Sequence, residues 1–240
     1  MFQAVNQGLE GVELPMRFVG QPAARWAAAF ASLCLLVGSV SNAAPKKDPK
    51  AAAAAEDPMR AQLEGKTPQQ KIEFLNGMLD DGKPTKDVYF HLGNAKYETG
   101  DAAGAATAFE KAVAMDSTFF KAIVNLGLMY DEQQLFPKAI EAFEMAAKLE
   151  PKNPDVWANL GNSYYTQSQH AKAYEYYQKA LAIDHNSQSA LYSMAVAFAD
   201  AGIFREAVKY WDHVVQVDPK SEQGKNAAEN IDLVKKYLIP

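Results

Sequence analysis

The chain has 240 residues, 29 acidic and 24 basic, for a net charge of −5. Acids and bases are interleaved, which disfavours the basic face that nucleic-acid binding needs. The single cysteine, Cys34, excludes an intramolecular disulfide and a thiolate zinc cluster, and His91, His170, His185 and His213 fall in no metal-ligand spacing.

The first segment reads as an export signal. Arg17 and Arg25 precede an uncharged apolar run over residues 27–40, and small residues follow at Ser41, Asn42, Ala43 and Ala44. The run is 14 residues long, whereas a spanning helix needs about 20. That favours a cleaved signal, with an uncleaved inner-membrane anchor as the alternative. Small side chains at Ser41 and Ala43 favour cleavage after Ala43, and cleavage after Ala44 fits almost as well. Met16 lies nearer the basic residues than Met1 does and is a candidate start. Cys34 is preceded by Leu33 and followed by Leu35, Leu36 and Val37, so it reads as one more hydrophobe of the run and not as a lipidation site.

Residues 44–58 are rich in alanine, lysine and proline and hold no large apolar side chain, the composition of a solvated linker. Over 59–85 a helical extension is expected. Thr67 and Gln70 flank Pro68 in a capping-box pattern, Ile72, Leu75 and Leu79 share one face, and Gly82 ends the run.

From Lys86 the chain repeats. Leu92-Gly93, Leu126-Gly127, Leu160-Gly161 and Met194-Ala195 recur every 34 residues without insertion. Ala105, Ala139, Ala173 and Ala207 keep the same step. So do Phe109, Phe143, Tyr177 and Trp211, and Ala112, Ala146, Ala180 and Val214. Within each copy the apolar positions lie three and four apart in two groups, as in Trp157, Leu160, Gly161 and Tyr164, then Ala173, Tyr177 and Ala180. Each copy is therefore expected to be two antiparallel helices. A turn separates them, marked by Gly100 in the first copy and Gly202 in the fourth. The in-phase glycines and alanines let the two backbones approach. After Ser221, residues Ala227, Ile231, Val234 and Leu238 make one more helical face, which is expected to cap the stack.

The third copy resembles the tetratricopeptide repeat most closely, through Trp157, Leu160, Gly161, Tyr164, Ala173, Tyr177 and Ala180. Pro151 and Pro219 match the closing proline, Ser117 and His185 do not, and Lys96 stands in place of a tyrosine in the first copy. The resemblance implies an all-α, right-handed solenoid of four units, 86–119, 120–153, 154–187 and 188–221, with a capping helix over 222–240.

It also implies where a partner binds. In such proteins the first helices line a concave groove, and positions two, five, nine and twelve face a bound peptide with position six beside it. Carried over, these are Asp87, Phe90, Asn94 and Tyr97 in the first copy. The second gives Lys121, Val124, Leu128 and Asp131, with Asn125 beside them. The third gives Asp155, Ala158, Asn162 and Tyr165, with Asn159, and the fourth Ser189, Tyr192 and Val196, with Ser193. Asn94, Asn125, Asn159 and Asn162 are of interest because an amide both donates and accepts, so it can hold an extended main chain without selecting its sequence. The alternative is that asparagine is simply common at these positions. Some relatives grip a C-terminal carboxylate with cations beside two asparagines. Here Phe90, Asp155 and Asn159 occupy the cationic places, so no clamp of that type is expected.

No phosphate loop, nucleophile elbow or ligand cluster occurs in the sequence, and neither a catalytic role nor a cofactor is expected. The reading is an exported scaffold, periplasmic or secreted, that binds a protein or peptide segment and makes no membrane contact after signal cleavage. Envelope assembly, secretion and wall metabolism are all compatible settings. The alternatives are a self-associating structural protein and a subunit of an envelope enzyme complex.

Overall fold

The computed structural model describes residues 57–238, so the expected export signal and most of the expected linker lie outside the described residues. Within them the chain is all helix. A short α1 (Pro58–Leu63) and α2 (Pro68–Asp80) precede four helix pairs: α3 (Lys86–Glu98) with α4 (Ala102–Met115), α5 (Phe120–Glu132) with α6 (Phe136–Leu149), α7 (Pro154–Thr166) with α8 (His170–Ile183), and α9 (Gln188–Asp200) with α10 (Phe204–Val217). A last helix, α11 (Glu222–Leu238), closes the array. No helix among the described residues is long and apolar enough to cross a membrane.

Local chemistry sets the ends of these helices. Thr67 Oγ1 accepts from the Gln70 amide while Gln70 Oε1 accepts from the Thr67 amide, a reciprocal cap on α2. Thr85 and Asp101 cap α3 and α4 through their side chains. The turn inside every repeat needs one residue in the left-handed region. Gly100 and Gly202 supply it in the first and fourth repeats, and Gln134 and Ser168, each at φ 60°, in the second and third. A side chain is disfavoured there by about 1 kcal/mol or more. Gln134→Gly and Ser168→Gly are therefore each expected to raise stability by roughly 0.5 kcal/mol, the smaller figure reflecting glycine's greater unfolded-state entropy. Urea midpoints of the two variants check this.

The core of each of the first three repeats is a glycine facing a ring. A methyl group on Gly93 would come within 2.6 Å of the Phe109 ring, and one on Gly127 within 2.6 Å of Phe143. Gly161 meets Tyr177 in the same way. Phe109, Phe143, Tyr177 and Trp211 are all buried, as are Ala105, Ala139, Ala173 and Ala207. The aromatic ring thus sits directly on the glycine, at the crossing of the two helices. In the fourth repeat Ala195 and Trp211 replace the pair, and the Trp211 indole N–H is buried without an acceptor.

Trp157 lies at the edge of the packed face, against Ala158, Ala180 and Ala190. It is half-buried, its indole donates to the Pro151 carbonyl at 2.9 Å, and its ring stacks on Tyr176 beneath the Lys179 ammonium. An indole needs an acceptor, and the edge of the repeat provides one where the core does not.

Both ends are covered. Leu75 is buried with Met59, Leu63, Val88 and Leu92, and Asp57 binds His91 Nε2 at 2.9 Å. Ala227, Ile231 and Val234 of α11 are buried, with α11 lying against α10 and touching α9; the side chain of Leu238 lies outside the described residues. From the second repeat onward each first helix touches the next, α5 with α7, α7 with α9 and α9 with α11, and no comparable contact joins successive second helices. The first helices therefore line the inner, concave side of the curve.

Candidate groove on the concave face

Hydrogen bonds cross from one first helix to the next along this inner side. Asn125 Nδ2 donates to Asn94 Oδ1 at 3.0 Å, joining α3 to α5. Ser163 Oγ donates to Asp131 Oδ2 at 2.7 Å, joining α5 to α7. Asn162 Oδ1 accepts from Ser193 Oγ and from Tyr177 OH, both at 2.9 Å, and so ties α7 to α9 and to its own partner helix. Tyr165 OH donates to Asp200 across the same gap. Asn230 Nδ2 donates to Tyr192 OH at 3.2 Å, joining α11 to α9.

This seam redistributes the residues expected to face a partner. Asp87 and Lys121 are exposed, and Phe90, Asn94, Tyr97, Asn125, Asp131, Asp155, Tyr165 and Ser189 are half-buried. Val124, Leu128, Ala158, Asn159, Asn162, Tyr192, Ser193 and Val196 are buried. The spacing argument turned them away from the partner helix within the repeat, but it did not include the neighbouring first helix, which closes over them. In the fourth repeat α11 plays that part. Phe90 packs toward the second helix and the turn, with ring centroids 5.0 Å from Phe119 and 5.9 Å from Phe109.

The four asparagines divide. Asn94 and Asn125 bind each other, and Asn162 is held by two hydroxyls. Asn159 is 5% exposed and its Nδ2 has no acceptor. Close by, Asp131 keeps one oxygen on Ser163 while the other, Oδ1, is buried without a partner. Burial pushes the Asp131 carboxyl up to about 7, and the Ser163 hydroxyl only partly offsets this. Asp155 is pushed up by burial and by Asp184, and Asp200 by burial against the Tyr165 and His170 contributions.

Tetratricopeptide-repeat models match residues 86–119 and 154–187, and a further model for the repeat matches 127–168. The chain is a tetratricopeptide-repeat protein. Its array is similar to solved solenoids. The structure of MamA superposes with a TM-score of 0.57 at 25% identity, over 68% of this chain and 94% of that one. MamA from Desulfovibrio magneticus RS-1, residues 41 to the end, gives a TM-score of 0.59 at 19% identity, over 74% of this chain and 99% of that one. A chain of the APC/C hetero-tetramer Cut9–Hcn1 gives 0.63 at 16% identity, over 71% of this tetratricopeptide-repeat protein and 34% of the other. No curated protein sequence matches significantly.

Sequence reasoning missed Ser163, Asp200 and Asn230, the partners that complete the seam. Ser163 carried a usable signal, since it lies one helical turn beyond Asn159 on the same helix and so on the same face.

Proposed function

We propose that this tetratricopeptide-repeat protein is an exported, non-catalytic scaffold that holds an extended segment of a partner protein along its concave face. The observation that carries this reading is the inner side of the array, which the first helices line from the second repeat onward. Solenoids of this kind present extended concave surfaces to their ligands. Export is supported by the basic, apolar and small-residue order over residues 17–44. Work in the cell envelope, in assembly or in secretion, fits that export.

A photo-crosslinking amino acid placed in the full chain tests the reading in envelope extract. Adducts with another protein are expected from positions Tyr97 and Lys121, on first helices, and none from Glu144 or Lys172, exposed on second helices. The reverse pattern would move the site off the groove. Adducts of the chain with itself would favour the second reading, self-association. That reading has its own support in Met115, Leu149, Ile183 and Val217, an in-phase row of exposed apolar side chains at the ends of the second helices.

A further inference from the structure

A cavity of about 250 Å³ opens at the junction of the second and third repeats. Glu144, Ala147 and Lys148 of α6 line it, with Trp157 and Leu160 of α7 and Tyr176 of α8. The sequence accounts for the hollow. The place of Ala147 is taken by Val113, Leu181 and Val215 in the other three repeats, so the second repeat lacks the branch that they carry. The wall is aromatic and fixed. The Trp157 indole donates to the Pro151 carbonyl at 2.9 Å, its ring stacks on Tyr176 with centroids 6.0 Å apart, and the Lys179 ammonium stands 3.3 Å from its centre. Ile123 and Leu191, at the same position of the second and fourth repeats, are buried, whereas Trp157 keeps part of its surface exposed. Ala147 and Leu160 give the cavity a buried apolar floor. Its rim carries two opposite charges, Glu144 and Lys148, exposed and one turn apart on α6. An acid four residues before a lysine is the favoured order for pairing along a helix, yet among the described residues neither forms an ion pair. The Glu144 charge also bears on the wall: burial raises the Tyr176 phenol, and Tyr164 and Glu144 raise it further.

We propose that this cavity is a second site, separate from the concave groove, for a small zwitterion of the free α-amino-acid class with an apolar or aromatic side chain. The side chain lies against Trp157, Tyr176 and the apolar floor, the ammonium meets Glu144, and the carboxylate meets Lys148. Apolar walls with a few placed polar groups are the usual make-up of a small-molecule site, and the volume here falls below the usual span of about 300–1,000 Å³, which limits the ligand to a small one. Residues four apart on a helix have Cβ atoms about 5–6 Å apart, so two long side chains can converge on the two charges of one molecule. An aromatic ligand ring adds stacking to the area that it buries. A residue inside a polypeptide has neither charge on its main chain, so the rim selects a free amino acid over a protein segment.

The test uses the full chain and fluorine NMR of four probes. They are para-fluorophenylalanine, para-fluorophenethylamine, which lacks the carboxylate, para-fluorophenylpropionate, which lacks the ammonium, and the N-acetylated amide of the amino acid, which lacks both. The amino acid is expected to shift and broaden on titration with the protein. Each lost charge is expected to weaken binding about fivefold, the worth of an exposed ion pair, so the amide is weakest. Ala147→Val copies the residue of the first and fourth repeats. It should stay folded, which urea midpoints check, and bind the amino acid at least about tenfold more weakly because the cavity is filled. Lys148→Ala should bring the amino acid and the amine within about twofold of each other, and Glu144→Gln the amino acid and the propionate. Equal binding of all four probes would overturn the zwitterion assignment. Unchanged affinity in Ala147→Val would place the ligand elsewhere, and no response from any probe would remove the site. None of these outcomes touches the groove reading, with which the cavity shares no residue.

Discussion

Gly127→Ala is expected to destabilise the protein by about 1–3 kcal/mol, although alanine is the better helix former by about 1 kcal/mol. The new methyl group would stand 2.6 Å from the edge of Phe143, a ring with no exposed surface. Neighbouring helices hold that ring on every side, so the strain cannot be relieved by a rotamer change. Phe143→Ala alone should be worse, at about 3–5 kcal/mol, because a buried ring is replaced by a cavity. The informative variant is the double one. With the ring gone, Gly127→Ala loses its three nearest contacts and should become neutral or stabilising by up to about 1 kcal/mol. Urea unfolding of the four proteins measures this coupling. Additive single effects would show that the glycine is not there for the ring.

Asp131→Asn is expected to make the protein more stable at pH 8 and no more stable at pH 4. The wild-type carboxyl titrates from its usual 3.8 in the unfolded chain to about 7 in the folded one. Below about pH 4 it is neutral in both states and takes nothing from stability. Between pH 4 and 7 the unfolded chain ionises first, so the wild type loses stability as pH rises, and above pH 7 the full loss is present. Allowing for the residual exposure of the side chain, the loss is on the order of 2 kcal/mol. The asparagine keeps an acceptor for Ser163 and removes the charge. Asp155, Asp200 and Glu132 are also raised by burial, but they titrate in both proteins, so the difference between the two urea midpoints isolates Asp131. A difference that does not change with pH would show that the carboxylate is not desolvated.

Much of the architecture was legible in the residues alone. The 34-residue step appears unchanged in the structure: the first helices begin at Lys86, Phe120, Pro154 and Gln188, and the second at Ala102, Phe136, His170 and Phe204. A periodic apolar pattern fixes this, since each helix pair must bury the same face against the next. The glycine positions were legible too, because only a close approach explains glycines in phase. The state of the residues expected to face a partner was not legible. Asn94 and Asn125 bind each other, Asn162 is taken by Tyr177 and Ser193, and Tyr192 lies beneath α11.

The sequence by itself determined the helix pairs, their period and the small residues at each crossing, because these follow from contacts within a repeat and along one helix. Only the tertiary structure decided which groove residues are satisfied and which are not. That depends on how far one first helix leans on the next, a distance set by the packing of whole repeats and by no local pattern. Ser163 reaches Asp131 across that gap, while Asn159 Nδ2 and Asp131 Oδ1 find no partner there. Buried polar atoms are nearly always hydrogen-bonded, and these two are exceptions left by the packing of whole repeats.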